Sequence, residues 1–221
     1  MPRHGTAPLP RPSSRKGPDR QSALLQYQRR ARTYDLELLL FEPIRRLAIE
    51  RLALKPGQTV LDLGCGTGLS LEALHQGVGP SGRVIGVEQC PEMLARAQER
   101  AQALHGRGIR LVCAPVEDAR LVGHADAALF HFTHDILRRP EALDHVLRHL
   151  RPGARIVATG LQWGPAWAVP VNAFVWGAAM RSVSSLQGLD RPWSLLAERV
   201  AALDVQSLLL GGVFVVVGSA R

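Results

Sequence analysis

An α/β fold is predicted: a doubly wound, mostly parallel sheet that ends in an antiparallel hairpin. Three features of the sequence predict it. From Thr59 to Ala158, short apolar runs alternate with amphipathic helical stretches, a rhythm that implies parallel pairing through right-handed crossovers. The apolar stretch 204–220 is interrupted by Gly211-Gly212, a hairpin signal. Between the first apolar run and the helix after it, Gly64, Gly66 and Gly68 stand at alternate positions. That makes a loop nearly free of side chains at a strand-to-helix junction, the kind of place where backbone meets a ligand.

The elements follow in order. "MPRHGTAPLPRPSSRKGPDR" is rich in Pro, Ser and Arg without apolar periodicity, so residues 1–21 read as a disordered basic tail outside the fold. Residues 22–221 form a single domain, a size that supports one sizeable core. A helix is expected over 22–33. "EPIRRLAIERLAL" (42–54) is a second, with Pro43 in its first turn and Ile44, Leu47, Ala48 and Leu52 on one face. Strands are expected at 59–63, 83–87, 109–113, 125–132 and 154–158. Helices run over 91–105, closed by Gly106, and over 140–150, before Pro152-Gly153. From Ile156 to Met180 there is no charged residue, and Trp163, Trp167 and Trp176 fall inside that stretch. Glycines and prolines interrupt it too often for a spanning helix, so 160–190 is expected to cap the sheet and supply an apolar substrate pocket or a partner surface.

Charge narrows the partners. The net charge is +8, and residues 1–33 hold eight basic groups against Asp19 alone, leaving the rest of the chain near neutral. A basic tail suits nucleic acid or an anionic membrane surface, but the globular part has no basic face to support nucleic acid. Peripheral membrane contact and a homodimer stay open. Cys65, Cys90 and Cys113 lie far apart and odd in number, which argues against a metal site or a disulfide framework and for a cytoplasmic setting.

The chemistry begins at the glycine loop. Twenty positions after Gly68 the second apolar run ends in Glu88, an acid placed to accept both hydroxyls of a ribose. Loop and acid together indicate a nucleoside cofactor. A dinucleotide fingerprint would place a glycine where Leu69 stands, which counts against a nicotinamide-dependent oxidoreductase. Asp62 adds a carboxylate at the strand end that suits a cationic amino group.

"LDLGCGTG" and "GVEQCPEMLARAQER" resemble the first and second motifs of the class I S-adenosylmethionine-dependent methyltransferases, and the likeness runs from 34 to 159. The resemblance implies a seven-stranded sheet with an antiparallel last strand, and S-adenosyl-L-methionine as cofactor. By that likeness Gly64, Gly66 and Gly68 would underlie the methionine and ribose, Asp62 would face the ammonium, and Glu88 would hold the ribose with Gln89 beside the adenine. In "CAPVEDARL", Pro115 stands where many members have Asp; the Val116 N–H still reaches the ring, and Glu117 is the substitute. Tyr34 would lie near the cofactor carboxylate.

The implied reaction is methyl transfer to an O or N atom of a small apolar or amphipathic acceptor, such as an aromatic metabolite, a quinone-like ring or a lipid headgroup. "LFHFTHDIL" (129–137) brings His131, His134 and Asp135 to the edge facing the methyl group. His131 is expected to touch cofactor or substrate and His134 to act as base, with Asp135 beside them. The competing reading is an inactive cofactor-binding or partner-regulating module of the same fold.

Overall fold

The computed structural model describes residues 39–104, 108–182 and 186–221. The tail 1–21, the helix expected over 22–33, Tyr34 and the helix end at His105-Gly106 lie outside the described residues.

After a short 3-10 turn at Leu39–Phe41, helix α1 spans Glu42–Leu52 and stops where Ala53 turns left-handed (φ 50°). Its buried stripe is Ile44, Ala48 and Leu52, with Arg45 buried among them. Then come β1 (Thr59–Leu63), α2 (Leu71–Val78), β2 (Arg83–Glu88), α3 (Pro91–Ala103) and β3 (Ile109–Cys113). A 3-10 turn at Val116–Asp118 leads to β4 (Ala125–His131), α4 (His134–Leu137), α5 (Pro140–Arg148) and β5 (Leu150–Leu161). The described chain closes with α6 (Val169–Ser182), α7 (Ser194–Ala197), β6 (Ala201–Leu208) and β7 (Val213–Ser219).

The seven strands form one sheet in the order β3-β2-β1-β4-β5-β7-β6. β1 to β5 pair in parallel, and β7 lies antiparallel between β5 and β6. The expected architecture is therefore observed, closing hairpin included. Two apolar clusters cover the two faces. One contains Leu61, Leu63, Phe130, Ile156 and Phe214; the other contains Val60, Leu74, Leu129, Val157 and Val215, with the α1 stripe. Residues that alternate along each strand thus reach opposite faces, as a parallel sheet covered on both sides requires. Alternation puts Asp62 on the α1 side, with Val60.

Two boundaries differ from expectation. β5 runs over twelve residues, because Pro152-Gly153 does not end the chain's course. Gly153 turns at φ 77°, and the register against β4 shifts between Ala125 and Ala127, so the expected turn is absorbed as an irregularity within a strand. β6 starts at Ala201 rather than Asp204 and is an exposed edge strand. The connection from β6 to β7 is a 3-10 turn, Leu209–Gly211, in which Leu209 and Leu210 both have positive φ (49° and 52°).

The chain leaves β1 outward to β2 and β3, then returns to β4 on the other side of β1. That reversal opens a crevice at the carboxyl ends of the parallel strands, between β1 and β4.

Candidate functional site

A cleft with about 820 Å³ of empty space, partly open to solvent, occupies that crevice. Its floor is the β1–α2 loop. Gly64, Gly66 and Gly68 all have positive φ (76°, 56° and 83°), so L side chains would be strained there. A Cβ on Gly64 would lie 2.5 Å from Thr133 Cγ2, and one on Gly68 would lie 3.0 Å from the Ala97 Cα of α3. The loop is bare because the β4–α4 connection and helix α3 both close on it. Gly64 and Cys65 donate their N–H groups to the Val87 carbonyl (2.8 and 3.0 Å), which locks the loop to the end of β2.

Glu88 stands at that end. Its carboxylate accepts from the Gly66 N–H (3.1 Å) and the Cys90 N–H (2.8 Å), so loop, acid and the start of α3 form one unit. Burial raises its pKa, and the backbone donors of Cys90, Gly66 and Gln89 counter only part of that. Asp62 lies deeper, 2% exposed, with Oδ2 lacking any hydrogen-bond partner. Burial pushes its pKa up to about 7; Glu88 adds to the rise and Arg45 opposes it. A buried carboxylate oxygen without a donor costs folding free energy, and an incoming ammonium group would satisfy it.

The far wall comes from β4, the elements after it and the 3-10 turn before it. Val116, Glu117, His131, Phe132, Thr133, Ile136 and Arg139 line it, with Gln89 and Met93 on the α3 side. Glu117 pairs with Arg139 at 3.3 Å. His131 Nδ1 and the Thr159 hydroxyl are 2.8 Å apart. Burial and the nearby Arg45 charge hold the His131 pKa down to about 3, so its ring is neutral at ordinary pH and weakly basic. His134 is buried and donates Nε2–H to the Leu161 carbonyl (2.7 Å). Its ring fills the space where a Cβ on Gly160 would sit (2.6 Å to Cε1), and burial lowers its pKa. Asp135 lines the cleft beside it.

The sequence-selected residues therefore largely converge. Gly64, Gly66, Glu88, Gln89, Val116, Glu117, His131, His134 and Asp135 line one cleft, with Asp62 and Gly68 in the strand and loop beneath it. Tyr34 lies outside the described residues. Three participants escaped sequence reasoning. Arg45, on α1, pairs with Glu42 and bears on both Asp62 and His131. Phe132 lines the cleft from a left-handed backbone (φ 57°) and stacks on Phe41 at 4.6 Å. Met93 sits in the first turn of α3.

None of the described residues of the segment 160–190 lines this cleft; Phe174 of α6 lies 6.2 Å from Phe41, which packs on the cleft-lining Phe132. Trp163 is half-buried, whereas Trp167 and Trp176 are 71% and 55% exposed.

Comparison with known proteins agrees with the geometry. Residues 60–153 match the family described as a methyltransferase domain. The chain is 34% identical over 123 residues to an uncharacterized 37.1 kDa protein in transposon TN4556 of Streptomyces fradiae, spanning 54% of this chain and 34% of that one. It is 34% identical over 119 residues to the 2-phytyl-1,4-naphtoquinone methyltransferase of Synechococcus elongatus, spanning 50% and 49%. The curated relatives are thus matched over half their length or less. Among solved structures, the N-methyltransferase NodS from Bradyrhizobium japonicum, in complex with S-adenosyl-L-homocysteine, superposes with a TM-score of 0.65 at 16% identity, over 90% of this chain and 98% of that one.

Proposed function

We propose that this chain is a class I S-adenosylmethionine-dependent methyltransferase that transfers a methyl group to an O or N atom of a small apolar or amphipathic acceptor; the matching methyltransferase domain, the relatives and the shared fold support that reading. The observation that carries the cofactor assignment is Asp62: a buried carboxylate oxygen without a donor, beneath a bare glycine loop and beside Glu88. Asp62 would take the cofactor's ammonium group and Glu88 its ribose hydroxyls. Gln89 and the Val116 backbone would flank the adenine, with Glu117 held by Arg139 at the rim.

Bound there, the sulfonium group supplies an electrophilic methyl, so the chain's own task is to orient the acceptor and exclude water. Phe132, Ile136 and Met93 give the wall an apolar surface for that purpose. The histidines bear on the acceptor class. His131 is too weakly basic to deprotonate a phenol near neutral pH, and the His134 Nε2–H is spent on Leu161. His131 and His134 are therefore assigned to positioning, and Asp135 lines the cleft beside them. The acceptors favoured are those nucleophilic without losing a proton, a carboxylate or a neutral amine, ahead of a phenol. Nothing in this reading requires a metal.

The test is titration calorimetry of S-adenosylhomocysteine, with NADH as control, followed by methyl-transfer assays on apolar carboxylates, amines and phenols. Binding of the first ligand alone, with turnover of carboxylates or amines, supports the proposal. Binding without transfer to any class favours the second reading, a cofactor-holding module that acts through a partner, and the unfitness of His131 and His134 as bases is what supports it.

A further inference from the structure

Helix α6 is apolar on nearly every side: in VPVNAFVWGAAMRS the only charged residue is Arg181. Such a helix normally lies in a core. Here Val175 and Ala179 are buried, while Val169, Ala173, Trp176 and Met180, spaced along one stripe, are exposed. The turn Leu209–Gly211 packs against the start of this helix region: a Cβ on Gly211 would meet Pro165 at 2.7 Å, and one on Gly212 would meet Val171 at 2.6 Å. Leu209 and Leu210, 57% and 65% exposed, thereby join Trp167, Val169 and Trp176 on one surface. Both leucines hold a backbone conformation that leucine disfavours and glycine or asparagine adopts freely, yet present large apolar side chains to solvent.

We propose that this face, α6 with the β6–β7 turn, docks on an anionic lipid surface. Three observations select that occupant. No Asp or Glu occurs between Leu150 and Leu189, nor from Val205 to Arg221, so both elements are free of carboxylates that anionic headgroups would repel. Residues 1–33, with eight basic groups against one acid, precede Leu40, which is 75% exposed; Phe41 beside it stacks against Phe174 of α6. A polybasic stretch shortly ahead of an exposed apolar wedge in the sequence offers the two signals that stable peripheral binding needs. Finally, α6 has fourteen residues, and no described helix is long and apolar enough to cross a membrane, so the face lies on a bilayer rather than spanning it.

The docking face is at the same sheet edge as the cleft, which it meets through Phe41 and Phe132. Delivery of an acceptor from lipid rests on the proposed methyl transfer; docking itself does not.

The experiment is co-sedimentation of the full chain with phosphatidylcholine vesicles, with and without about 30% phosphatidylglycerol, alongside tryptophan quenching by brominated lipid. Association with the anionic vesicles and quenching are expected. The Leu209→Ser/Leu210→Ser variant should bind at least about tenfold more weakly, with S-adenosylhomocysteine affinity unchanged as the check on folding. Absence of association overturns the proposal. So does binding that salt abolishes but the double variant leaves unaltered, which would be charge attraction alone. A dimer by ultracentrifugation that the same variant dissociates, without vesicle binding, assigns the face to a second copy. Tryptophans already shielded from iodide in vesicle-free protein would assign it to the segment before Leu39.

Discussion

Asp62 carries the most consequence for its size. Its pKa is about 7 in the fold against an ordinary 3.8, so between those pH values the folded chain holds a proton that the unfolded chain has lost. Its contribution to stability therefore falls as pH rises through that window, and the full penalty is present above about pH 7. Asp62→Asn removes the titration. The ligand-free protein should gain on the order of a few kcal/mol near neutral pH, read as a raised urea midpoint. The same variant should bind S-adenosylhomocysteine more weakly and lose the rise in affinity that the parent shows from about pH 6 to 8, as calorimetry across pH would record. Glu88→Ala removes the acceptor for Gly66 and Cys90 as well as the proposed ribose contact, so affinity should fall by about 10- to 100-fold; parent-like binding would take Glu88 out of that role. These two acids were legible because a strand end and a loop fix their places locally. Arg45 and Phe132 were not. Arg45 looks like one more exposed charge in "PIRRLAIER" until α1 lies over the sheet, and nothing in "LFHFTH" announces that Phe132 takes a left-handed backbone.

At the level of elements, the strand–helix alternation was readable because a sheet covered on both faces needs near-continuous apolar runs. Boundaries were less so. β5 passes through Pro152-Gly153 because pairing with β4 and β7 resumes beyond it, a tertiary effect that overrides the local turn signal. The orientation of the tryptophan-rich segment was not readable, because composition reports apolarity and not which way a helix faces; Trp167 and Trp176 turn out exposed. Two substitutions probe element junctions. Gly68→Ala would drive a methyl toward the backbone of α3 at an already unfavourable φ, and should cost about 2 kcal/mol or more in chemical denaturation. Leu210→Asn relieves a left-handed leucine and should raise stability by about 0.5–1 kcal/mol.

For the molecule as a whole, the cofactor cleft is a crevice between two halves of one sheet, so a ligand there binds only the folded chain. At about 100 times its dissociation constant, S-adenosylhomocysteine should add about 2.7 kcal/mol of stability, and the melting temperature should rise by about 5–11 °C in differential scanning fluorimetry. NADH at the same concentration should leave it unmoved. The sheet order also bears on synthesis. β6 touches the sheet only through β7, and β7 occupies the slot between β5 and β6. A nascent chain halted after Leu208 has a strand with nothing to join and leaves Arg155–Leu161 of β5 with one edge bare. Of the described strands, the one made last is thus an interior one. Until Val213–Ser219 emerges and inserts, the apolar edge of β5 is a template for any passing strand, which makes the interval between translation and insertion the period in which a chaperone matters most.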